Sequence, residues 1–187
     1  MFTCYMSFHL KTQQINSITW NALLWIVLLF VAINAISKSF IGENQARSFY
    51  YFFVVKPTAY LFSKIIYNSL LMLFLAGTTT LFMFAVLAVS IPDLGLFVVN
   101  LLLGAIGFSC TLTLIAAVAA KANNPMLMAL LSFPVIIPML LMLIKISNQA
   151  TDGLGWTVAN ESLMGLVAIN LIVCTASYIL FPYLWKS

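Results

Sequence analysis

Charge is what this 187-residue chain has least of, and its scarcity excludes an ordinary soluble fold. Asp, Glu, Lys and Arg together make up 6% of the residues, whereas hydrophobic residues make up 64%. A soluble domain carries about 25% charged residues, most of them on its surface. We therefore expect most of this chain to lie in the hydrocarbon of a lipid bilayer.

The chain also lacks motifs that would supply chemistry or energy of its own. It contains no GxxxxGK[ST] phosphate-binding loop, no HExxH motif and no CxxC spacing. No Asp, Glu, Arg or His lies deep in an apolar run, which argues against proton relays, ion-coupled carriers and intramembrane proteases. The sequence therefore predicts no catalytic residues, no metal site and no directly bound cofactor, so that any energy comes from a partner.

Cysteine and histidine are scarce as well. Cys110 and Cys174 lie inside apolar runs, where small apolar filling is favoured over a disulfide or a metal site. The single histidine, His9, could bind haem or a metal, but a lone histidine near a terminus is more often simply solvated. The eight Lys and Arg residues are scattered singly, so nucleic acid is not expected as a partner.

Five long apolar runs are what the sequence does contain. A transmembrane helix needs about 20 mostly apolar residues, and each run is long enough. The runs predict an all-α, polytopic transmembrane helix bundle that forms a single domain over residues 1–187. Its spans are predicted at about residues 19–36, 60–89, 94–120, 125–146 and 163–184.

The charges between these runs alternate by side. Most of the basic residues fall into segments on one side of the predicted bundle: Lys38, Arg47, Lys56, Lys64, Lys121 and Lys186. The other side holds the remaining two, together with three of the four acidic residues: Lys11, Lys145, Asp93, Asp152 and Glu161. By the positive-inside rule the first side is cytoplasmic, which places the N-terminus of this chain outside and its C-terminus inside.

Two groups of residues within the spans point to helix packing and helix bending. Gly104, Gly107 and Thr111 fall near one face of the third span, where small side chains let helices approach closely. Ordinary packing is the simpler interpretation, and a polar track for a substrate is the alternative. Pro134 and Pro138 each remove an amide donor from the fourth span, so a doubly kinked helix is expected at a packed or moving site. It would be either a structural kink or the hinge of a transport cycle.

The longest cytoplasmic segment, residues 38–59, is the one most suited to receiving a partner. It mixes aromatic side chains with acidic and basic ones. An amphipathic helix lying along the membrane interface is a plausible form for it. Such a helix either anchors the bundle or transmits movement from a partner.

Two stretches resemble the CcmB-type haem exporter subunits of cytochrome c maturation. KPTAYLFSKIIYNSLL, residues 56–71, resembles the loop-to-helix junction of that family. LLLGAIGFSCTLTLIAAVAAKANNPMLMALLSFPVIIPMLL, residues 101–141, is similar to its middle helices, in which a small-residue helix ends at a short basic loop and a proline-containing helix follows. The proline-containing pattern L-x-x-P-x-x-I-P-x-L falls on Leu131, Pro134, Ile137, Pro138 and Leu140. The similarity covers about residues 20–187.

The resemblance implies an ABC-2-like permease subunit of an ABC transporter in a bacterial inner membrane, with haem as a possible substrate. The implied partners are an ATP-binding cassette subunit, a haem-handling membrane subunit of the CcmC type and a small helical membrane subunit. Whether the chain conducts haem or only relays ATP-driven motion stays open. By position, the resemblance implies coupling to the ATPase through residues 38–59, and the expected coupling residues are Glu43, Arg47, Tyr50, Lys56 and Pro57.

One departure from the family pattern and two alternative functions follow. The family usually shows six spans with a cytoplasmic N-terminus, whereas this chain shows five, so we expect that a first helix is missing through truncation or a miscalled start. An ABC-2-type permease for another lipid, drug or polymer would share the architecture. A non-transporting membrane scaffold for a haem-handling complex is the alternative from a different class.

Overall fold

The computed structural model of the chain describes residues 17–41, 57–87, 91–121 and 125–186, which form five α-helices and no strand. The helices are α1 (Ser17–Ile41), α2 (Pro57–Leu87), α3 (Leu94–Lys121), α4 (Pro125–Thr151) and α5 (Gly155–Lys186). Each of them is long and apolar enough to cross a membrane. The predicted all-α polytopic bundle is therefore confirmed.

The fourth and fifth helices extend further than the sequence predicts. The sequence predicts membrane spans at about residues 125–146 and 163–184, whereas α4 continues to Thr151 and α5 begins at Gly155. The polar side chains here bond within the bundle; the Thr151 hydroxyl, for example, donates to the Ser147 carbonyl at 3.2 Å. Hydropathy alone treats such residues as loop, because it does not register the partners that let them stay in a helix.

A tight turn joins α4 to α5. The Leu154 amide donates to the Gln149 carbonyl at 3.1 Å, and Gly153 between them has a φ of 67°. This is the Schellman motif. A residue in the left-handed conformation turns the chain away from the helix, and the amide that follows donates to a carbonyl of the last helical turn. Asp93, just before α3, accepts a hydrogen bond from the Gly155 amide at 3.1 Å and so fastens the start of α3 to this turn.

The central helix of the bundle is α3, which contacts each of the other four. Of the span within α3, 67% is buried, against 22% for α2 and for α5. It is rich in Gly and Ala, which allows neighbours on several sides at once. The outward faces of α2, α4 and α5 carry large apolar side chains, as lipid contact requires.

Candidate functional site

Polar side chains line the interior of the bundle, and many of them belong to α3. The buried polar residues of the described chain are Asn21, Asn68, Thr80, Asn100, Ser109, Thr111, Thr113, Ser132, Ser147, Ser162, Asn170 and Ser177. All are amides or hydroxyls, and none of the buried side chains among the described residues is charged. Because no water is available in hydrocarbon, such groups must bond to one another or to the backbone.

One end of the bundle holds a hydrogen-bonded network that we call the amide cluster, made of Asn21, Trp25, Asn100, Ser147, Asn148 and Thr151. Asn21 Nδ2 of α1 donates to Asn148 Oδ1 at 2.7 Å and to Thr151 Oγ1 at 3.1 Å, both in α4. These bonds join helices that are more than 100 residues apart in the sequence.

The centre of the amide cluster is the Ser147 hydroxyl, which accepts from two other helices. Trp25 Nε1 of α1 donates to Ser147 Oγ at 2.7 Å, and Asn100 Nδ2 of α3 donates to the same oxygen at 2.9 Å. Asn100 Nδ2 also donates to the Leu143 carbonyl at 2.9 Å. The cluster thereby ties α1, α3 and the C-terminal end of α4 into one unit.

Two acceptors of the amide cluster have no partner among the residues that the structure describes. They are the side-chain oxygens of Asn21 and Asn100, and both are buried. A buried amide oxygen without a partner is costly, and an ordered water or the polar group of a ligand is what satisfies it in such sites.

The two glycines singled out in the sequence lie where helices approach closely. A Cβ atom on Gly104 would lie 2.6 Å from Trp25 Cη2 and 3.0 Å from Leu143 Cδ2, so α1 and α4 both press on α3 here. A Cβ atom on Gly107 would overlap Met139 of α4 and Asn170 of α5. Thr111 bonds within its own helix, because its hydroxyl donates to the Gly107 carbonyl at 2.8 Å.

The remaining neighbours of α3 are held by separate polar contacts. Asn68 Nδ2 of α2 donates to Thr113 Oγ1 at 2.9 Å. One turn along, the Ser109 hydroxyl donates to the Ile65 carbonyl of α2 at 2.9 Å. On the α5 side, Asn170 Nδ2 donates to the Leu103 carbonyl at 3.0 Å. Each helix of the bundle is therefore bonded to α3 or to the amide cluster.

The structure also brings together two cysteines that the sequence analysis treated as separate apolar filling. The Cys174 thiol of α5 donates to Cys110 Sγ of α3 at 2.7 Å, and both are free thiols. The sequence carries no signal for this contact, because the two residues lie in different spans. In the described part of the chain, no three His, Cys, Asp or Glu side chains come together as a metal site would need.

The two prolines of α4 do not pack against the rest of the described bundle. Pro134 and Pro138 are exposed, and α4 continues unbroken through both. The opposite side of the helix, with Ser132, Ile136 and Met139, is the side that packs into the bundle. The helix turns both prolines away from the rest of the described bundle, and their place at a packed or moving site, including their use as a hinge, stays a prediction.

Most of the expected coupling segment lies outside the described residues. Glu43, Arg47, Tyr50 and Lys56 all lie in residues 42–56, which the structure does not describe. Residues 1–16, on which the expectation of a missing first helix rests, also lie outside the described residues. Pro57 is the first residue of α2. Proline suits this position, because it has no amide hydrogen to satisfy and its fixed φ is already helical.

Comparison with known proteins agrees with the architecture. The sequence model of the CcmB protein family matches residues 6–179, nearly the whole chain and part or all of each of the five helices. No curated protein and no solved structure matched the chain. A family match of this extent, on five helices that can each cross a membrane, shows that the chain belongs to the CcmB family of haem exporter subunits and is a multi-pass membrane protein.

Proposed function

We propose that this chain is the permease subunit of an ABC transporter complex that exports or delivers haem for cytochrome c maturation. The observation that carries the proposal is the CcmB family match over residues 6–179. The chain has no phosphate-binding loop of its own, so ATP hydrolysis is assigned to a separate ATP-binding cassette subunit. The further partners proposed are a haem-handling membrane subunit of the CcmC type and a small helical membrane subunit.

The proposed location is a bacterial inner membrane with the C-terminus in the cytoplasm. The distribution of Lys and Arg between the helices supports this orientation. It puts residues 38–59, with Glu43, Arg47, Tyr50, Lys56 and Pro57, on the side where ATP is hydrolysed. The cluster of aromatic and charged residues in this segment suits a helix that lies at the membrane surface and contacts the ATPase.

The proposed mechanism uses α4 as a helix that is anchored at one end. The amide cluster holds residues 143–151 of α4 to α1 and α3. Pro134 and Pro138 lie between this anchored part and the Pro125 end, which faces the cytoplasm in the proposed orientation. Closure of the ATPase on ATP pulls residues 38–59, and α2 and the Pro125 end of α4 shift, with the prolines as pivots and Gly104 and Gly107 as close contacts.

Replacing Pro138 with alanine tests the pivot. Alanine restores the amide donor to the Pro134 carbonyl and removes the ring that presses on the preceding turn, so α4 becomes stiffer. Because Pro138 is exposed, we expect normal membrane insertion and folding stability, with loss of cytochrome c maturation. Both are measured in cells that lack the native subunit, by immunoblotting of membranes and by haem staining of c-type cytochromes.

A matched control for this variant is Ile137→Ala. Ile137 is the exposed neighbour of Pro138, and its truncation changes the same surface without altering the backbone. Maturation should therefore remain normal in Ile137→Ala. Normal maturation in Pro138→Ala removes the pivot, whereas an equal loss in both variants indicates a contact surface for another subunit instead.

Purification of the complex tests the proposed function itself. The tagged chain, extracted from membranes in mild detergent, should co-elute with an ATP-binding subunit, and the reconstituted complex should hydrolyse ATP faster than that subunit alone. Charge reversal at Arg47 should abolish this stimulation, whereas Lys11→Glu, on the opposite side of the membrane, should preserve it.

The results of this experiment also separate the alternatives. Co-elution without stimulated hydrolysis favours the non-transporting scaffold. Stimulated hydrolysis without haem absorbance in the sample, and with normal cytochrome c maturation in cells lacking the chain, favours an ABC-2-type permease for another substrate. Absence of any ATP-binding subunit contradicts the proposal.

A further inference from the structure

The contact between Cys110 and Cys174 is a feature that the proposed function does not use. It joins the central helix α3 to α5, and the Cys174 thiol lies 2.7 Å from Cys110 Sγ. The two residues are 64 positions apart, so only the packing of α5 against α3 brings them together. Both sulfurs are free, and two thiols in contact are the arrangement from which a disulfide forms.

The two thiols differ in their access to the surroundings. Cys110 is buried, with 2% of its surface exposed, whereas Cys174 is half-buried. The neighbours of Cys174 on α5 point outward, since Leu171 is 61% exposed and Ile172 is 66% exposed. Cys174 therefore lies at the edge of a face that contacts hydrocarbon, while Cys110 stands behind it in the bundle interior. A reagent dissolved in the lipid would meet Cys174 first.

We propose that Cys110 and Cys174 form an oxidisable pair that locks α3 to α5, and that its oxidant is a lipid-soluble quinone. In the reaction both S–H bonds break and one S–S bond forms. The two electrons and two protons pass to the quinone, which becomes a hydroquinone. A dithiol returns the pair to two thiols by thiol–disulfide exchange and itself becomes a disulfide. The proposal concerns this chain alone and does not depend on its role as an ABC permease.

A covalent bond here would restrain movement of α5. In the reduced protein, α5 is held to α3 by side-chain packing, by the hydrogen bond from Asn170 to the Leu103 carbonyl and by the hydrogen bond between the two thiols. These contacts can slide or re-form, whereas a disulfide cannot. Oxidation should therefore stabilise the bundle against unfolding, because it closes a loop of 64 residues in the unfolded chain.

The chain has one further cysteine, Cys4. The test therefore uses the full chain in its native membranes with Cys4→Ser, so that only the two helix thiols remain. Membranes are treated with a decyl-substituted benzoquinone, denatured and alkylated, and the chain is weighed by mass spectrometry. We expect loss of both alkylation sites, a mass lower by two hydrogens, and recovery of both sites after dithiothreitol. The oxidised form should also melt at a higher temperature in detergent than the reduced form.

Two control variants contain reactive thiols but lack the contact between Cys110 and Cys174. Cys174→Ser should keep one alkylatable thiol and show no shift in melting temperature. In Leu171→Cys combined with Cys174→Ser, two thiols remain on the same two helices, but the new one lies on the lipid-facing side. This variant should retain both alkylation sites under the same treatment.

Several results would overturn the inference. Retention of both thiols in the quinone-treated protein, or equal cross-linking in the Leu171→Cys variant, contradicts the oxidisable pair. Cross-linking by oxidised glutathione, which stays in water, at the same rate as by the quinone contradicts access from the lipid. An unchanged melting temperature in a fully cross-linked sample contradicts the lock. If Cys4→Ser does not accumulate, the cross-linked peptides of the unmodified chain give the same answer.

Discussion

Replacing Trp25 with alanine should lower the free energy of unfolding by about 2–4 kcal/mol. Trp25 is 1% exposed and lies edge-on against Phe108, with ring centroids 6.0 Å apart. Its ring also covers Gly104, where α3 has no side chain to fill the space. Truncation therefore opens a cavity between three helices and removes the hydrogen bond to Ser147.

The size of this effect differs from that in a soluble protein for a physical reason. Lipid is as apolar as the interior of the bundle, so the loss comes from missing packing contacts and the missing hydrogen bond, not from transfer out of water. The measurement is reversible unfolding in mixed detergent micelles, followed by circular dichroism. Trp25→Phe keeps most of the ring but removes the donor to Ser147, and should cost less than Trp25→Ala.

An exposed tryptophan supplies the matched control. Trp156 is 51% exposed near the start of α5, and its truncation to alanine should change the free energy of unfolding by less than about 1 kcal/mol. Equal losses in Trp25→Ala and Trp156→Ala would show that the amide cluster and the packing around it do not organise the bundle.

Adding a single methyl group at Gly107 should destabilise the bundle by about 1–3 kcal/mol. The new Cβ atom would overlap the end of Met139 in α4 and the side-chain oxygen of Asn170 in α5. The Met139 side chain can turn away, but Asn170 is held by its bond to the Leu103 carbonyl. Gly107→Ala should therefore push α5 away from α3 or break this bond. The same unfolding assay measures the loss.

Gly77→Ala is the control for this prediction, because it makes the same chemical change in another interior part of a helix. Apart from the neighbouring backbone of α2 itself, no heavy atom of the described residues lies within 4 Å of a Cβ atom on Gly77. The helix propensity of alanine should then act alone, and stability should rise by up to about 1 kcal/mol. Opposite signs in the two variants are expected. Stabilisation in both would mean that α3, α4 and α5 do not approach closely at Gly107.

The sequence predicts which segments form helices, but it does not predict where each helix ends or how it is rotated in the bundle. The five helices follow from apolar runs that need no knowledge of any other segment, so their existence and order were predictable. The C-terminal end of α4 lies beyond the predicted span and could not be predicted, because Ser147 and Asn148 bond to side chains of α1 and α3 that hydropathy does not register. The outward direction of Pro134 and Pro138 could not be predicted, since the helix could have rotated either way about its axis.

The sequence by itself determined that this chain is embedded in a lipid bilayer, that it crosses the bilayer as helices, and that its middle helices follow the CcmB pattern. Only the tertiary structure decided that α3 is the centre, that an amide cluster ties α1 and α4 to it, and that Cys110 meets Cys174. Burial in a bilayer depends on the composition of each segment alone. Contacts between helices depend on the rotation and depth of each helix, which are set jointly by the packing of all five.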